Sequence, residues 1–147
     1  MEISRIFEHL YLVAMASLIT TIFGLILGTI SYILKPARKI ILWIVDVLQT
    51  LPVLALLGLI MLVFGATSTT VIIGLVLYSL LPIVRNTYVG LENIDPGIKE
   101  AAIGMGMTKL QRLFSVELPL AFPMIFSGIR IAVVTSIGTA VFGAIVG

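Results

Sequence analysis

From Leu10 to Leu34 the sequence carries no charged residue at 25 consecutive positions. As a helix rising 1.5 Å per residue, that run is about 37 Å long, enough to cross the roughly 30 Å hydrocarbon layer of a bilayer. A secretory signal would have a shorter apolar part and a small-residue cleavage site, and no such site precedes Lys35. The run therefore reads as a first membrane span, 10–34.

The rest of the chain repeats the pattern. Ile40 to Val84 holds one charged residue, Asp46, and is long enough for two helices but not three. The small, uncharged stretch Gly65-Ala66-Thr67-Ser68-Thr69-Thr70 divides it into expected spans at 40–64 and 69–85. Leu118 to Gly147 is apolar apart from Arg130, and Pro119 and Pro123 at its start read as a turn into a fourth span, 120–147. No anchoring charge or aromatic residue follows Gly143-Ala144-Ile145-Val146-Gly147, so the last helix is expected to be cut at its far side and the natural chain to continue.

Composition agrees with lipid as the main solvent. Of the 147 residues, 60% are apolar and 11% charged, against about a quarter charged in a soluble domain. The mean hydropathy is +1.23, which excludes both a water-coated globule and intrinsic disorder. The expected class is an all-α polytopic membrane protein. With no cysteine and a single histidine, His9, there is almost nothing to build a metal centre or a catalytic triad. A nucleic-acid interface would need a basic face, and none is present.

Charge placement supplies an orientation, because Lys and Arg are retained on the cytoplasmic side of short loops. Seven of the nine basic residues lie in two groups, Lys35, Arg38 and Lys39, then Arg85, Lys99, Lys109 and Arg112. Four spans put both groups on one side, the cytoplasm, and the N-terminus outside. Tyr32 and Trp43 near the basic end, and Tyr11 and Phe64 near the other, suit interfacial aromatic belts.

Residues 86–119 are mixed in character and far longer than a turn requires. Asp95-Pro96-Gly97 is a helix-start signal, with Asp95 as cap and Pro96 preset at the first helical position. A short helix over Ile98 to Met105 follows, and its two alanines leave a low face that a partner can approach. Gly106 stops that helix. Thr108-Lys109-Leu110-Gln111 then has the spacing of a capping box opening a second helix. Leu110, Leu113 and Phe114, at i, i+3 and i+4, give it one expected apolar face toward the membrane domain or a partner.

Glu100-Ala101-Ala102, three residues, Gly106, nine residues, Val116, one residue, Leu118-Pro119 resembles the E-A-A-x3-G-x9-I-x-L-P loop of the transmembrane subunits of bacterial ABC importers, with valine for isoleucine. The resemblance runs over the whole chain, including Gln49-Thr50-Leu51-Pro52 and Leu81-Pro82-Ile83-Val84-Arg85-Asn86-Thr87. Within that family these segments look most like permeases for glycine betaine, carnitine and choline. The resemblance implies a multi-pass permease of the bacterial cell membrane that works as a pair, either a homodimer or two related chains. It also implies an extracytoplasmic substrate-binding protein and a separate ATPase subunit whose groove receives the loop. Glu100 would then offer a charge to the ATPase, Ala101 and Ala102 would permit close packing, and Gly106 would supply the bend, with Thr108, Leu118 and Pro119 completing the coupling loop.

The chain has no G-x4-G-K-[ST] loop to cradle nucleotide phosphates. It is therefore expected to be a non-catalytic subunit without a cofactor, with ATP and Mg bound by the partner. Asp46 and Arg130, the charges nearest the lipid, are candidates for structural pairing or for gating. Pro52 and Pro82 are expected to kink their helices. Cation–π faces for a quaternary ammonium could come from Tyr78 and Trp43, yet scattered aromatics define no cage, so substrate-binding residues stay unassigned. Other readings are an importer of a different small solute such as an amino acid, a channel or proton-coupled carrier, and a scaffold that only recruits a partner. A proton-coupled carrier should carry acids or histidines at mid-span, and the centres of these spans have neither.

Overall fold

A computed structural model describes residues 2–143, and all regular structure among them is helical. The end of the fourth expected span, from 144 onward, lies outside the described residues.

The first helix, α1, covers Glu2–Ile33, beginning eight residues before the expected span. No glycine or proline separates Glu2 from Leu10, so the backbone has no reason to stop where the uncharged run does. Leu34 alone is extended (φ −106°, ψ 94°), and α2, Lys35–Thr50, starts at once with Pro36 in its first turn. The basic cluster expected to flank a loop thus forms the first turn of a helix, where proline's missing N–H removes no bond.

The expected single span at 40–64 is broken. After α2 ends at Thr50, α3 runs over Val53–Phe64 at 103° to it. Pro52 cannot donate a backbone bond and disfavours helical geometry at the residue before it, and Leu51 is extended (φ −75°, ψ 132°). Pro82 does not interrupt its helix: it lies inside α4, Ser68–Glu92, which runs on past it. Thr67 caps α4 by accepting from Thr70 N–H at 3.3 Å.

The central helix α4 packs against α1, α2, α3 and α7. It runs seven residues beyond the expected end at 85, so the first seven residues of the region read as a loop are helical. After the hairpin helices α5, Pro96–Gly104, and α6, Lys109–Arg112, the chain makes a π-helical turn, Leu113–Glu117, and enters α7, Leu118–Ala140. There is no turn at Pro119 or Pro123. Leu118 N–H reaches back five residues to the Leu113 carbonyl, and the wider turn carries the helix through a region where Pro119 has no N–H to give. Three helical stretches, Ile3–Ile33, Ser68–Glu92 and Lys109–Ala140, are long and apolar enough to cross a membrane, and the bent α2–α3 pair has the composition of either a broken fourth span or a re-entrant loop.

Small residues and hydroxyls set the helix contacts, since apolar surface gains little by leaving lipid for another apolar surface. A Cβ at Gly28 would lie 2.5 Å from Thr87 Cβ and 2.8 Å from the Val84 carbonyl, and one at Gly128 would lie 2.7 Å from the Pro82 carbonyl. These glycines let α1 and α7 close onto α4. Ser79 and Ser136, both buried, hydrogen-bond at 2.9 Å across α4 and α7. Large apolar side chains such as Phe23, Phe122 and Phe126 point outward, as hydrocarbon solvent allows.

Candidate coupling hairpin and the carboxylate at its root

The hairpin between α4 and α7 is built from local signals. Asp95 Oδ1 accepts from Gly97 N–H at 2.6 Å, and Pro96 occupies the first turn of α5. At the other end Gly106 adopts φ +81°, with Gly106 N–H donating to Ile103 O at 2.9 Å and Met107 N–H to Ala102 O at 3.2 Å. These bonds close the open carbonyls of α5 in a left-handed cap that glycine adopts without strain. Thr108 then starts α6 reciprocally: Gln111 N–H donates to its hydroxyl at 3.3 Å, while Thr108 N–H donates to Gln111 Oε1 at 2.9 Å.

The residues of the E-A-A motif separate by face. Glu100 and Ala101 are exposed, as are Ile98, Ile103 and Met105, whereas Ala102 is buried within the chain. Only one of the two alanines is therefore open to a partner. Gly106 and Thr108 are exposed, Leu118 is half-buried against a core of Leu91, Ile94 and Leu113, and Pro119 is exposed. Leu110, Leu113 and Phe114 are not buried together against this chain's own helices. Leu113 is buried while Leu110 and Phe114 are both 66% exposed.

At the root of the hairpin sits a group that the sequence reading passed over. Glu117, 1% exposed, accepts at Oε1 from Tyr32 Oη at 2.9 Å and from Arg112 Nε at 3.1 Å. One carboxylate thus joins α6, the π-helical turn and the end of α1. Tyr32, read as an interfacial anchor, faces this carboxylate instead. The signal was a lone acid in the apolar stretch Val116-Glu117-Leu118-Pro119, since a buried carboxylate needs a partner. Two further ties hold the same end. Lys99 Nζ donates to Leu91 O at 3.1 Å, and Arg38 donates to Ser31 O at 3.0 Å and lies 4.7 Å from the Tyr88 ring centre.

The two intramembrane candidates are not brought together. Asp46 on α2 bonds Arg85 on α4 at 2.5 Å, with both side chains about half exposed. Arg130 is exposed on α7 and forms no ion pair among the described residues.

The model of the binding-protein-dependent transport system inner membrane component matches residues 10–147. The chain belongs to this family. The permease is 42% identical to the osmoprotectant import permease protein OsmW of Salmonella typhimurium, over 98% of this chain and 69% of that one. It is 40% identical to the glycine betaine/carnitine/choline transport system permease protein OpuCD of Bacillus subtilis, over 99% of this chain and 63% of the relative. The permease thus spans about two thirds of the length of these relatives. Its fold is similar to that of a chain in the inward facing MetNI methionine ABC transporter, with a TM-score of 0.82 at 25% identity over 96% of this chain and 72% of the other. It is a multi-pass inner-membrane transport component.

Proposed function

We propose that this chain is the membrane-embedded half of an ATP-driven importer, with the 95–119 hairpin gripped on the cytoplasmic side by a separate ATPase subunit. The observation that carries this reading is the hairpin itself. Its outer face presents Ile98, Ala101, Ile103 and Met105 to the surroundings beside the charge of Glu100, while its inner face is tied to α1, α4 and α7. A push on the outer face would reach the spans through Glu117 and Lys99 rather than be lost in a flexible loop. ATP and Mg belong to the partner, a second permease completes the pathway, and an extracytoplasmic binding protein delivers the solute.

The solute class is a quaternary-ammonium osmoprotectant such as glycine betaine, carnitine or choline. Over the aligned residues, a relative named for an osmoprotectant is 42% identical and one named for glycine betaine, carnitine and choline is 40% identical, against 25% for the chain of the methionine system, which makes an amino acid the second reading. The test is uptake of labelled glycine betaine, choline and methionine by cells whose own osmoprotectant systems are deleted, with the complete operon supplied. Replacing residues 100–106 by a flexible linker should abolish uptake and co-purification of the ATPase together. Uptake that persists after the linker replacement would remove the coupling role, and accumulation of methionine alone would remove the solute assignment.

A further inference from the structure

Beside the hairpin, on the side facing the ends of α1 and α2, lies a cavity of about 600 Å³. Five cations line it: Lys35, Arg38, Lys99, Lys109 and Arg112. Two carboxylates line it as well, and both are engaged. Glu117 accepts from Arg112, and Glu92 lies 3.7 Å from Arg38. A surplus of three positive charges remains, on Lys35, Lys99 and Lys109. Lys99 has given one N–H to the Leu91 carbonyl and stands 5.0 Å from the centre of the Tyr32 ring. Lys35 and Lys109 are exposed and have no ion-pair partner among the described residues.

Like charges are not gathered around a concavity without cost unless an anion shares it. We infer that this cavity is a binding site for a phosphate-bearing anion, and that the headgroup of an anionic phospholipid is its occupant. The choice of a lipid over free phosphate rests on the rim. Ile33, the last residue of the α1 span, is 52% exposed, and Leu110 is 66% exposed. Apolar side chains open to the surroundings at the end of a span suit acyl chains and gain nothing from an inorganic ion. Polybasic residues at that depth are where anionic headgroups are held. Lysine ammonium groups carried by three separate helices, α2, α5 and α6, can close around one phosphate from several sides. The inference depends on the proposed function only for the leaflet, the inner one.

The experiment uses the full chain purified with its partner subunits in mild detergent and examined by native mass spectrometry. Phosphatidylglycerol, phosphatidylcholine and inorganic phosphate are offered separately. Phosphatidylglycerol should be retained selectively, and inorganic phosphate should fail to displace it. Lys35→Gln with Lys109→Gln should weaken retention about thirtyfold, or about fivefold for each lysine taken from an anionic headgroup. Lys39→Gln, one turn from Lys35 but outside the cavity lining, should leave retention unchanged. Equal retention of phosphatidylcholine, an equal loss with Lys39→Gln, or insensitivity to the double change would each overturn the site. Protection by inorganic phosphate alone would overturn the lipid assignment. If the double change releases the ATPase subunit while lipid retention stays intact, the surplus charge serves a protein partner and the inference fails. ATP-driven uptake is read in parallel, so loss of the lipid site and loss of the transport reading are separable.

Discussion

Replacing Glu117 by alanine deletes the acceptor that Tyr32 and Arg112 share, and the consequence can be worked from the geometry. Removing one member of a fully buried ion pair costs about 3 to 5 kcal/mol, because the remaining charge is left without a partner. Here the Arg112 side chain is 19% exposed and can recover some hydration, so the expected loss lies at the lower end, about 3 kcal/mol. Tyr32→Phe removes only the hydroxyl and should cost about 1 kcal/mol. Glu117→Gln keeps one oxygen acceptor without the charge and should fall between them. Thermal unfolding of the purified assembly, followed by tryptophan fluorescence from Trp43 and by loss of monodispersity, gives the ranking Glu117→Ala below Glu117→Gln below Tyr32→Phe. The cycle built from Tyr32→Phe and Glu117→Ala must also be non-additive by at least about 0.5 kcal/mol, since the two groups touch. Wild-type stability in Glu117→Ala, or strict additivity in the cycle, would show that the carboxylate does not tie the hairpin to α1.

Gly106 has φ +81° and open space around the position of a Cβ, so damage there should come from the backbone alone. Gly106→Val should disrupt coupling and ATPase co-purification, while Gly106→Asn, which tolerates left-handed geometry, should retain most of both; equal damage from the two would point to a steric clash with the partner instead. Gly28→Ala places a methyl against Thr87 and the Val84 carbonyl, and it should lower the unfolding temperature and yield by the cost of overpacking, about 1 to 3 kcal/mol. Gly58→Ala, with nothing within 4 Å, should be neutral or slightly stabilising, and the reverse order would contradict the α1–α4 packing. For the Asp46–Arg85 pair, Asp46→Arg should impair uptake and the exchanged pair Asp46→Arg with Arg85→Asp should restore it; no restoration would mean that one of the two charges acts on its own.

What could be read from the sequence divides by the distance over which the determining residues act. The Asp95 cap, the Gly106 stop and the Thr108–Gln111 box were legible, and each depends on residues within four positions of one another. The existence of membrane helices was legible from the uncharged runs, but their ends were not. Nothing in hydropathy distinguishes a helix that stops where the apolar run stops from one that continues past it, as α1 does toward Glu2 and α4 does toward Glu92. Pro52 and Pro82 are the same residue in similar surroundings, yet only Pro52 breaks its helix. Pro82 sits in α4 with Gly128 of α7 pressed against its carbonyl, and packing of that kind can hold a helix together across a missing bond. Pro52 is exposed, so the local preference decides.

The same reasoning explains why Glu117 escaped notice while Asp46 and Arg130 did not. Those two were conspicuous because each interrupts a long uncharged run, whereas Glu117 stands where a loop was expected to end and a charge needs no account. Its partner Tyr32 is 85 positions away, and the meeting depends on a π-helical turn that no local pattern announces. In soluble helices an apolar stripe would at least indicate which face turns inward. In this chain the lipid-facing and core-facing sides are both apolar, so periodicity carries little information about facing. The facing is carried instead by the sparse polar and small residues, Gly28, Ser79, Gly128, Ser136 and Glu117.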